Sequence, residues 1–119
     1  MKEKILESEK SLFKIKYISD KEYLNKIIDK DYLECGKSGI LYNQKDTINS
    51  LLDCEEDRNI KIYNFTCEQI DNYTHLIHYL TKQNDNVYYR TSIWNSKNEL
   101  KLIYHQATQY NDKIDLIEF

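Results

Sequence analysis

The apolar period of this chain changes once, near Asn59, and that change restricts the fold more than any other feature. Before it, Ile5, Leu6, Leu12 and Phe13 recur at the spacing of one helical face, and Tyr23, Leu24, Ile27 and Ile28 form a second stripe. Beyond it the alternation has period two, in runs rich in Tyr, Ile, Thr and Trp. Turn clusters at Gln69-Ile70-Asp71-Asn72, Gln83-Asn84-Asp85-Asn86 and Asn95-Ser96-Lys97-Asn98 divide those runs. Four long antiparallel strands are predicted, over 59–68, 73–82, 87–94 and 100–108. Helices first and a meander afterwards make the chain α+β.

The punctuation between elements supports this order. Ser19-Asp20-Lys21-Glu22 reads as a capping box led by Ser19, opening the second helix. Asn43 can cap a third, with Ile48, Leu51 and Leu52 inward, Asp46 near the positive end of the dipole, and an end near Asp53. Gly36 and Gly39 are the only glycines and predict a short hairpin, because a tight turn needs positive φ. Asparagine stands in for glycine at the left-handed positions of the other turns. The tail Gln109 to Phe119 fits either an edge strand or a segment crossing a dimer interface.

Length and charge bound the function. The 119 residues suit one domain, 1–119, with no linker or repeat. A net charge of -3, with only Arg58 and Arg90 as arginines, gives no basic footprint for nucleic acid. No leader-like or membrane-spanning apolar run occurs, so the reading is a cytoplasmic, soluble protein. Cys35, Cys54 and Cys67 are odd in number and far apart, which predicts free thiols and no zinc site. Gly36-Lys37-Ser38 is not a phosphate loop, since Asp31 stands where that loop needs glycine. His75 and His78, three apart on a strand, should point to opposite faces and form no metal pair. No cofactor is expected. The bias to lysine, isoleucine, asparagine and tyrosine is that of an AT-rich bacterial genome.

Arg90-Thr91-Ser92-Ile93-Trp94 is followed after a turn by Leu100 to Thr108 with His105-Gln106-Ala107-Thr108, and Gly36-Lys37-Ser38-Gly39 with Tyr42 precedes both. In this order the segments resemble the DUF4440 branch of the SnoaL-like, nuclear-transport-factor-2-like (NTF2-like) superfamily. That branch carries an arginine-serine-serine-x-tryptophan strand, then histidine-glutamine-glycine-threonine. Ala107 and Gln109 depart from its usual glycine and proline. The resemblance implies a cone of N-terminal helices packed on a strongly curved antiparallel sheet, with a cavity between them. The fold hosts isomerases, cyclases, dehydratases and hub domains, so it does not specify a reaction.

Strict alternation sorts Tyr88, Arg90, Ser92 and Trp94 onto one face, and Leu102, Tyr104 and Gln106 onto the cavity side of the next strand. Tyr79, Tyr88, Arg90, Trp94, Tyr104 and Gln106 are therefore the candidate lining of a site for a small, partly apolar molecule. Arg90 has two readings, a ligand carboxylate or a partner within the protein. His105 is the one candidate for catalysis near neutral pH, yet alternation sends it to the convex face and favours a structural hydrogen bond. Ile93, Ile103 and Tyr89 on that face predict a homodimer. Two other classes stay open: a lyase- or isomerase-type enzyme using one acid/base pair, and an immunity- or hub-like interaction module.

Overall fold

A computed structural model describes residues 1–119. Four helices, α1 (Lys2–Ser11), α2 (Ile15–Ile18), α3 (Lys21–Ile27) and α4 (Gln44–Leu52), accompany six strands. The strands are β1 (Ile28–Cys35), β2 (Leu41–Asn43), β3 (Tyr63–Gln69), β4 (Thr74–Gln83), β5 (Asn86–Asn95) and β6 (Lys101–Tyr110). They form one curved, open sheet in the order β2-β1-β6-β5-β4-β3. The predicted meander is β3 to β6. One pairing differs from the expected antiparallel sheet, because β1 runs parallel to β6. Periodicity locates strands but does not fix the direction in which a non-sequential strand joins.

Helix α1 buries Ile5 and Leu12 together with Glu9, so its inward face holds one carboxylate among apolar groups. Asp20, not Ser19, caps α3, its Oδ1 accepting the Tyr23 N–H at 3.1 Å. Ser19 is already the helical end of α2 and donates its hydroxyl to Ile15 O at 2.6 Å, which leaves Asp20 in the extended geometry a cap requires. Ile28, expected to continue the helical stripe, opens β1 instead, paired with Leu102 of β6 and with its carbonyl accepting from Gln44 Nε2 at 3.0 Å. Asn43 caps α4 as expected, and Asp46 does more than complement the dipole, its side chain accepting the Asn43 N–H in a reciprocal box.

Gly39 has φ +76, and only this member of the glycine pair is left-handed. Asn84 (φ 57) does the same in the β4–β5 turn. The tail folds back on its own chain: Asn64 N–H donates to Ile117 O at 2.8 Å and Phe119 N–H to Ile62 O at 2.9 Å. These bonds cover the outer edge of β3. The core lies between helices and concave face, with Ile5, Ile18, Leu24, Tyr32, Trp94 and Leu102 almost fully enclosed. No helix is long and apolar enough to cross a membrane.

Candidate functional site

Helices α1 and α4 do not close completely on the sheet. Between them lies a cavity of about 200 Å³. Leu12, Phe13, Ile28, Leu51 and Leu102 supply apolar wall, and Glu9, Tyr32, Glu34, Arg58, Tyr79, Arg90 and His105 bring polar groups to it. Thr47, Ser50 and Cys54 face it from α4 and just beyond its end.

A bulge decides which β6 residues reach this space. Ser92 stands opposite His105 and Ile93 opposite Tyr104, but Trp94 stands opposite Leu102, so β6 carries one extra residue at Ile103. Leu102, His105 and Ala107 therefore point inward, with His105 7% exposed. Tyr104 and Gln106, placed on the cavity side by strict alternation, lie on the other face, where the tyrosine hydroxyl donates to Gln106 Oε1 at 2.6 Å. The expectation of a convex His105 fails for the same reason.

Of the other candidates, Tyr79 and Arg90 line the cavity. Trp94 is fully buried behind the lining and donates Nε1–H to Glu9 Oε1 at 3.0 Å. Tyr88 lies outside the lining, half-buried, with Lys37 Nζ 5.5 Å from its ring. His75 and His78 do face opposite ways: His75 Nε2 is 3.2 Å from Ser96 Oγ, and His78 Nδ1 is 3.0 Å from Thr91 Oγ1. No group of three His, Cys, Asp or Glu side chains could hold a metal ion.

A continuous polar chain runs through the buried face of β5 and β6. Arg90 donates Nε–H to Thr81 Oγ1 at 2.7 Å and has Nη1 3.3 Å from His105 Nε2. A guanidinium has only donors, so Nε2 accepts and Nδ1 carries the imidazole proton, facing Ser92 Oγ at 2.7 Å. Burial, then the charges of Arg90 and Arg58, push His105 down to about 3. The ring is neutral at physiological pH. Glu9 closes the buried end of this face, accepting from Tyr79 at 2.8 Å and from Trp94 at 3.0 Å. Burial raises the Glu9 pKa, and those donors together with Arg90 only partly counter it.

Both arginines of the chain face the same cavity. Arg58 is exposed as a residue, but its guanidinium turns into the mouth, donating to Leu12 O at 3.1 Å and lying 5.1 Å from the Phe13 ring. Neither has a carboxylate within 4.0 Å, for the one ion pair of the molecule joins Lys61 to Glu118. Glu34, the second acid of the lining, accepts from the Tyr32 hydroxyl at 2.6 Å.

The sequence reading missed Glu9, Thr47 and Arg58. Glu9 had a visible signal, since it sits four residues after Ile5 and three before Leu12, inside the apolar stripe. Thr47 lies four before Leu51 on the inward face of α4. Arg58 belongs to the stretch between α4 and β3, where no period predicts direction.

No family model matches the chain, and no curated protein matches it in sequence. Solved structures do match. An NTF2-like protein from Cytophaga hutchinsonii superposes with a TM-score of 0.73 at 19% identity, over 91% of this chain and 97% of its own. An NTF2-like protein from Prochlorococcus gives 0.68 at 18%, over 94% of each chain. A putative ketosteroid isomerase from Parabacteroides distasonis gives 0.68 at 11%, over 93% of this chain and 89% of its own. The chain has the NTF2-like fold.

Proposed function

We propose that this NTF2-like domain binds a small, partly apolar molecule in its cone and works as a cytoplasmic homodimer of the bacterial DUF4440/SnoaL-like branch. One observation carries the binding reading: a cavity of about 200 Å³ has apolar walls, yet receives both arginines of the chain and a neutral histidine. A space used only for packing would be filled by side chains, and buried cations would be paired. The volume is below that of drug-sized sites and suits a compact ligand.

The experiment is a two-dimensional NMR titration with a set of neutral and charged small molecules. Trp94 is the one tryptophan, and its indole N–H bonds Glu9 on the cavity wall, so its signal reports occupancy. Binding should shift that signal together with the amides of Leu51, Arg90 and His105. If no compound moves them, the binding reading is lost.

The dimer reading rests on the outer face, where Tyr89 is 39% exposed and stacks beside His78 and Tyr110, next to half-buried Ile93 and Ile103. Light scattering at micromolar concentration should give about twice the 14.4 kDa chain mass. The chain mass itself would overturn it.

A second reading, an enzyme of lyase or isomerase type, gains support from Glu9 and His105 lining one cavity. A carboxyl with raised pKa can serve as the general acid or base of such a reaction.

A further inference from the structure

Thr47 Oγ1 is the one buried side-chain oxygen or nitrogen of the molecule with no hydrogen-bond partner. The residue is 6% exposed and its side chain lines the cavity. A helical threonine can usually give its hydroxyl to the carbonyl one turn back, so an orphaned hydroxyl here leaves a polar group without compensation. On the opposite wall Arg90 uses Nε and Nη1 within the protein, and Nη2 makes no hydrogen bond to it. Arg58 at the mouth uses a single donor. The two acids of the lining act on these cations only from beyond ion-pair distance. Glu9 accepts from Tyr79 and Trp94, and Glu34 from Tyr32. The cavity thus offers cationic donors on one side, one unused hydroxyl on the other, and apolar wall between.

Building on the binding reading above, we propose that the ligand is a short carboxylic acid with a second polar group, a hydroxyl or carbonyl. Arg90 and Arg58 hold its carboxylate, and Thr47 Oγ1 hydrogen-bonds the second group. Guanidinium donors match the two oxygens of a carboxylate, which favours an acid over a neutral amide of the same shape. Leu12, Leu51 and Leu102 pack on the carbon chain between the polar ends. An acid lacking the second group leaves Thr47 unpartnered and binds less well, because a site built to hydrogen-bond a group discriminates against its absence. The volume of about 200 Å³, below that of drug-sized sites, restricts the acid to a short carbon chain.

The test compares 2-hydroxy-4-methylpentanoate and 4-methyl-2-oxopentanoate with 4-methylpentanoate and with the primary amide of each, by calorimetry and by the Trp94 indole signal. At least one substituted acid should bind at least 10-fold tighter than its amide, and tighter than the plain acid. Thr47→Val, which keeps shape and helix, should reduce the substituted acid to the affinity of the plain one. Arg58→Gln at the mouth should weaken every acid about 10-fold and leave the amides unchanged. Arg90→Lys, which keeps the positive charge but loses the planar fork, should also weaken every acid and leave the amides unchanged. Amides binding as well as acids, or neutral molecules binding while every acid fails, would overturn the proposal and leave the binding reading standing. If nothing in either set binds, both fall together. A substituted acid that binds with equal affinity to wild type and Thr47→Val overturns the assignment of the second group.

Discussion

Ser92 Oγ and His105 Nδ1 lie 2.7 Å apart as direct cross-strand partners of β5 and β6. The contact exists because the bulge at Ile103 returns His105 to the face that Ser92 shares with Arg90 and Trp94. It fixes the imidazole with its proton on Nδ1 and its lone pair on Nε2, toward Arg90. The imidazole therefore accepts from a cation and donates to a hydroxyl.

The first prediction concerns protonation of that ring. A histidine held at about 3 when folded and near 6.5 when unfolded binds its proton preferentially in the unfolded state. Its contribution to stability is therefore full above pH 6.5 and is lost as pH falls toward 3, at up to about 1.4 kcal/mol per unit. NMR of the imidazole carbons should show His105 as the neutral Nδ1–H tautomer, unchanged from pH 8 to 5. A mid-range titration near pH 6.5 would show that the ring reaches water.

Glu9 works with the opposite sign. Its folded pKa is raised, so its contribution is present below the unfolded value near 4.5 and is lost as pH rises through the folded value. Glu9→Gln removes that dependence and should flatten the stability profile above pH 4.5. Glu9→Ala leaves the Tyr79 hydroxyl and the Trp94 indole N–H without an acceptor in a buried site. A loss of about 2–5 kcal/mol is expected in urea melts. A loss below about 0.5 kcal/mol would mean that water reaches both donors.

How much of this was legible beforehand depends on the kind of signal. The helix stripes, the cap at Asn43, the hairpin at Gly39 and the four long strands follow from local rules of period and turn chemistry. The faces of β6 do not, because a one-residue bulge shifts every later side chain and leaves no compositional mark at Ile103. Tyr104 and Gln106 were exchanged for His105 by that single residue. Glu9 was legible as a charge inside an apolar stripe. Arg58 was not, since its direction comes from the irregular path between α4 and β3 and from its contacts with Leu12 and Phe13. The parallel pairing of β1 with β6 is likewise a long-range choice.

The hairpin glycines should respond unequally. Gly39 has φ +76, where a β-branched residue is strongly disfavoured although space is open around it. Gly39→Val should cost more than about 1 kcal/mol from backbone strain. At Gly36 φ is not left-handed, and an added Cβ would meet only Glu34 Oε2 at 3.8 Å, an ordinary contact. Gly36→Ala should cost less, or raise stability slightly by restricting the unfolded chain. Thermal melts that shift equally and little for both would contradict the left-handed assignment at Gly39.

The last prediction separates stability from binding at Thr47. Its Oγ1 is buried without a partner among the protein's own groups, so the hydroxyl forfeits its hydration and gains nothing from the fold. Thr47→Val replaces it with a methyl group of similar volume that packs against the apolar wall, and β-branching keeps the helical cost of α4 nearly constant. The variant should be more stable than wild type by about 1 kcal/mol in urea melts without added acid. Thr47→Ser keeps the hydroxyl and removes a buried methyl, so it should be less stable than wild type by a similar amount. Opposite signs for these two substitutions identify an unsatisfied hydroxyl. If Thr47→Val is instead destabilised by 1 kcal/mol or more, Oγ1 makes a hydrogen bond of its own, and α4 offers no free hydroxyl to the cavity.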